Sequence, residues 1–128
     1  MIGGSEKSVR SCKDLDVWRK STALAENCYR ITSDFPREEI YGMTAQMRRA
    51  AVSIPANIAE GYGRDQTGSF IQFLRIAQGS TRELETHAIL TGRIGLLHKE
   101  ARDKLLDECE EVSRMLRAMI RSLEDRER

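Results

Sequence analysis

Apolar positions recur at intervals of three and four along most of the chain, in four stretches separated by short runs of turn residues. The first begins near Asp14. Leu15, Trp18, Thr22, Ala25 and Tyr29 form one stripe, with Val17, Leu24, Cys28 and Ile31 beside it. Together they predict a helix with a broad buried face, capped by Asp14 or Asp16 and stopped near Thr32. Ser33-Asp34-Phe35-Pro36 is turn chemistry, because Pro36 drives the residue before it out of helical geometry. Phe35 is expected to fold back onto the end of the bundle. A second helix is expected from Glu38 or Tyr41 to Ala59 or Glu60, along Met43, Met47, Ala51, Ile54 and Ile58. Gly61-Tyr62-Gly63 should end it in a left-handed glycine conformation. Thr67 or Ser69 can cap a third helix carrying Phe70, Phe73, Leu74, Ala77, Leu84, Ala88 and Ile94, ending around Gly95. In the fourth, Leu105, Cys109, Val112, Leu116, Met119 and Leu123 alternate steps of four and three, a heptad seam flanked by Arg and Glu. Four long amphipathic helices with short connections predict an all-α fold, an antiparallel up-down-up-down four-helix bundle over residues 13–128. The polar residues 1–12 read as a disordered tail.

Pro55 interrupts the second helix. It removes the amide that would bond the Ala51 carbonyl and crowds that carbonyl with its ring. Either the helix kinks, or it breaks and restarts with Ser53 as N-cap. The apolar register holds from Met47 through Ile58, which favours the kink. Ala50, Ala51, Ser53, Ala56 and Ala59 are small, offering more close-packing surface than one bundle core requires. That surplus points to a helix-mediated subunit contact.

Charge narrows the choice of partner. The 128 residues carry 21 basic and 20 acidic side chains, a net of +1, so no global basic field advertises nucleic acid. The middle of the chain is mildly positive, and its six cations, Arg48, Arg49, Arg64, Arg75, Arg82 and Arg93, are all arginine. Arginine presents a fixed fork of donors to phosphate or carboxylate. Three separated cysteines without a C-x-x-C indicate neither a disulfide framework nor zinc, and fit a reduced cytoplasmic setting. No apolar run reaches the ~20 residues of a membrane span. Ile2 follows the first Met, where N-myristoylation requires glycine.

Catalytic and metal motifs are absent. Glu83 and His87 are one turn apart, but Thr86 stands three residues after Glu83 and Ala88 three after Glu85, so the paired Glu-x-x-His of a di-iron bundle is missing. No G-x-S-x-G elbow occurs, and Gly61-Tyr62-Gly63-Arg64 lacks the third glycine of a phosphate loop and follows a helix. No enzyme activity, cofactor or metal is expected. Trp18, Tyr29, Cys28 and Cys109 read as core. The polar residues singled out for nucleic-acid or subunit contact are Arg48, Arg49, Asn57, Glu60 and Arg64 on the second helix. Arg75, Glu83 and Glu85 join them on the third, with Gln72, Gln78 and Ser80 as neighbours. Arg49 and Glu60 need partners wherever they are partly buried.

The segments DLDVWRK (14–20), FPREEIYGM (35–43), QMRRAAVSIPANIAEGYGR (46–64), FIQFLRIAQGSTRELE (70–85) and IGLL (94–97) closely resemble a family of four-helix bundle proteins. Its members are associated with intervening sequences of bacterial 23S ribosomal RNA genes. The likeness covers about residues 14–98. It implies a homopentameric ring, with Arg48, Arg49, Asn57, Glu60, Gly61 and Arg64 in the hallmark helix and Ser80, Glu83 and Glu85 in its neighbour. A related branch, the accessory variability determinant of diversity-generating retroelements, forms a basic pentameric barrel that binds nucleic acid and a reverse transcriptase; this chain is nearly neutral. Two readings follow. One is an oligomer with an RNA or DNA partner; the other is a protein scaffold whose arginines make intersubunit ion pairs.

Overall fold

The computed structural model describes residues 13 and 15–127. The expected tail, Cys12 and the Asp14 cap lie outside the described residues. Four helices carry the fold: α1 (Asp16–Thr32), α2 (Met43–Tyr62), α3 (Thr67–Arg93) and α4 (Lys99–Glu127), with a one-turn 3-10 helix at Arg37–Glu39 before α2. No strand occurs among the described residues.

Each helix packs on its neighbours in sequence, α4 packs back on α1, and the diagonal pairs do not meet. Paired positions run in opposite senses. Ser53 meets Ser80 and Gly61 meets Phe73 across α2 and α3, while Gly92 meets Arg102 and Arg75 meets Glu124 across α3 and α4. Across α1 and α4, Lys20 reaches Glu111 and Asn27 reaches Glu108. The helices enclose Leu24, Met47, Ile54, Ile58, Leu74, Leu84, Leu105 and Leu116, all fully buried. Each such side chain contributes on the order of 1.5–3 kcal/mol when it leaves water. Phe35 is buried at the end of the bundle, as the turn before α2 predicts.

The structure corrects several local expectations. On α1 the core stripe is Val17, Ser21, Leu24, Cys28 and Thr32; Tyr29, expected inside, is exposed, and Trp18 is only half-buried. A helix in a four-membered ring offers one face to the interior, so Trp18, Thr22 and Tyr29 of the first stripe fall at or beyond its edge while Leu15 and Ala25 stay buried. Asp16 does not cap α1 but lies in its first turn and pairs with Arg19 at 2.8 Å. Helix α2 starts later than expected, at Met43, because Glu38 belongs to the 3-10 turn and Glu39 of that turn accepts the Met43 amide at 3.2 Å. Neither Thr67 nor Ser69 caps α3; Gln66 holds that position without a side-chain bond. Helix α3 ends at Arg93, and the left-handed glycine is Gly95 (φ 86°), after α3 rather than after α2.

Gly61 lies inside α2, and Gly63 ends that helix at a right-handed φ of −78°. A Cβ on Gly61 would sit 2.6 Å from the Phe73 Cβ. Close approach of α2 to α3, rather than backbone freedom, requires this glycine. Helix α2 is unbroken through Pro55, so no restart occurs at Ser53. The Ser53 hydroxyl instead bonds sideways to Ser80 at 2.7 Å. The bend at Pro55 is an expectation of the sequence alone.

Candidate functional site

Arg48 projects from α2 across the end of α1. Its Nε donates to Thr32 Oγ1 at 2.8 Å, its Nη2 donates to the Tyr29 carbonyl at 3.2 Å, and its guanidinium lies 4.5 Å from the centre of the Tyr29 ring. Thr32 Oγ1 donates onward to the Cys28 carbonyl at 2.7 Å. A cation thus meets the partial negative charge at the C-terminus of α1. Beneath it the Cys28 thiol is fully buried, which pushes its pKa up to about 11, with the Arg48 charge pulling the other way. Arg49, the next residue, is exposed and carries no ion pair among the described residues.

Asn57 Nδ2 donates to the Ser53 carbonyl at 2.8 Å and to its hydroxyl at 3.0 Å, and Ser53 in turn bonds the buried Ser80. This chain of small polar groups lets α2 and α3 approach closely while leaving their hydroxyls satisfied. Glu60 and Arg64 are exposed and pair with each other at 2.8 Å, and Arg64 lies 4.8 Å from the centre of the Phe73 ring. Arg75 pairs with Glu124 of α4. Glu83 lies 3.5 Å from the His87 Nε2, but that nitrogen is buried without a hydrogen bond. The two facts agree if the contact is close yet misaligned. Glu85 is half-buried, 4.0 Å from Arg82; burial raises the Cys109 thiol far above its ordinary range, and the Glu85 and Glu108 charges add to that shift. The eight residues singled out from sequence do not converge. Arg48 clamps α1, Asn57 braces the Ser53 hydroxyl that joins α2 to α3, Arg75 joins α3 to α4, Glu85 is half-buried, and Arg49, Glu60, Arg64 and Glu83 lie along the outside.

Those residues do not line an open groove of about 830 Å³ between α1 and α2. Trp18, Ala25 and Tyr29 form one wall, Val52, Pro55 and Ala56 the other, and Glu26 and Arg30 stand on its rim. Tyr29 is 45% exposed and Val52 42%. Thr22 also faces the groove, and its buried hydroxyl has no partner. Such walls can bury apolar surface, and the polar groups beside them are the Tyr29 phenol, the Thr22 hydroxyl and the Glu26 and Arg30 side chains. No cluster of three or more metal-ligating side chains occurs among the described residues. Sequence reasoning missed this groove by reading Trp18 and Tyr29 as core. The signal was present: two apolar stripes on one helix exceed what a single interior face can cover.

The chain is thus a four-helix bundle with a closed core and an exposed apolar groove between α1 and α2. The 23S rRNA-intervening sequence protein family matches residues 13–118, and the chain belongs to that family. A crystal structure of a protein of unknown function from the S23 ribosomal protein family, from Bacteroides thetaiotaomicron VPI-5482, shares the fold. It is 25% identical, with a TM-score of 0.74, over 81% of this chain and 97% of that one. No curated protein matches the chain. No helix among the described residues is long and apolar enough to cross a membrane.

Proposed function

We propose that this chain is a non-enzymatic assembly module that works as a homopentameric ring in the cytoplasm and associates with structured RNA or DNA. The α1/α2 groove is the observation that carries the reading. Trp18, Tyr29, Val52 and Ala56 stay in contact with water in the isolated chain, and covering such a patch is the main driving force of association. Light scattering at micromolar concentration tests this directly: an assembly of defined mass is expected, and a monomer sinks the reading.

The family description and Arg49 support the nucleic-acid part. Arg49 is a fully charged fork that the fold leaves uncommitted, and a ring repeats it once per copy, adding avidity to a weak single contact. Binding to a structured RNA should weaken steeply with salt and fall further in Arg49→Ala. If binding is absent at low salt and Arg49→Ala loosens the assembly instead, the arginine serves an intersubunit ion pair and the module is a protein scaffold.

A further inference from the structure

Two exposed apolar surfaces have no partner among the described residues, and they differ in shape. One is the concave α1/α2 groove. The other is the outer edge of α3, where Ile76, Gly79, Glu83 and Leu90 recur at helical spacing and so lie along one line, with Ile94 just past the end of the helix. Ile76, Leu90 and Ile94 are 50%, 45% and 58% exposed. Gly79 lies one turn from Ile76 on that line and near the middle of the helix, where glycine is disfavoured. A Cβ added there would meet nothing within 4 Å, whereas one on Gly61 would strike Phe73. Packing within the chain accounts for Gly61 and leaves Gly79 unaccounted for. Bare backbone at that point suits close approach by another chain.

The ridge is long enough to span the groove, and the two surfaces can pair in charge. The ridge runs about 21 Å from Ile76 to Leu90, and the α1 wall of the groove about 16 Å from Trp18 to Tyr29. Glu26 and Arg30 on the groove rim form no ion pair among the described residues, although they are one turn apart. Glu83 is the carboxylate of the ridge, half exposed, with His87 beside it. Because α1 and α3 are diagonal in the bundle, a copy cannot fill its own groove with its own ridge.

We infer that the α3 ridge of one copy docks in the α1/α2 groove of the next, over Gly79, with Arg30 set against the partner's Glu83. Groove and ridge are different surfaces, so the contact is head-to-tail, and each copy uses both. This rests on the assembly reading above and names its interface.

Mixing two variants tests it. Ala56→Arg fills the groove and Gly79→Arg fills the ridge, and both are exposed helix positions that arginine suits. Each variant alone should be a folded monomer by circular dichroism and light scattering. Mixed, they should form a one-to-one complex and nothing larger, because only the intact ridge of the first fits the intact groove of the second. Two monomeric variants that ignore each other overturn the head-to-tail contact. A variant that keeps the wild-type mass overturns the surface it was meant to block, while the assembly reading stands. A monomeric wild type removes both.

Discussion

Arg48 and Arg49 are adjacent and chemically identical, yet the fold uses them differently. One helical step separates a side chain that reaches over the end of α1 from one that points to water. Arg48→Ala removes two hydrogen bonds and the charge at the α1 terminus, and should cost about 1–2 kcal/mol in urea unfolding. Lysine should restore only part of this, since it lacks the planar fork. Arg49→Ala should change stability by less than about 0.5 kcal/mol. The dipeptide in the sequence shows two cations and a helix. It does not show that a Thr32 hydroxyl and a Tyr29 carbonyl stand within reach of the first, because that depends on how α1 ends.

At the scale of elements, the period of the apolar positions located all four helices, and Phe35-Pro36 correctly marked a turn that buries its phenylalanine. Helix starts were less legible, because neither α1 nor α3 has a side-chain cap and α2 takes its capping carboxylate from the turn before it. Glycines show the same division. Gly61 resembled a stop signal but is a contact point, and Gly95 is the one that takes the left-handed turn. Gly61→Ala should therefore destabilise the bundle by roughly 1–3 kcal/mol through overpacking against Phe73. A thermal or denaturant midpoint unchanged by that substitution would show that α2 and α3 can separate without loss.

At the scale of the molecule, the interior is complete and the exterior is not. The core is closed by the four inner faces, while Trp18, Tyr29 and Val52 on one side and Ile76, Leu90 and Ile94 on another stay in contact with water. Small residues on α2 pointed in the sequence to more close-packing surface than one core requires. The proposed contact surface was hidden because Trp18 and Tyr29 read as core while both lie off the core stripe. Most candidate arginines are occupied within the chain: Arg48 with α1, Arg64 with Glu60 and Arg75 with Glu124. A ring of five would repeat Arg49, the uncommitted one among the four candidate arginines, once per copy, which is how a chain of net charge +1 can present a local basic surface.

The central claim is that the chain completes itself with copies of itself. Native mass spectrometry of the wild-type protein measures this most directly. The account predicts a closed species of five times the 14.6 kDa chain mass. A spectrum holding only the 14.6 kDa chain at micromolar concentration would contradict it.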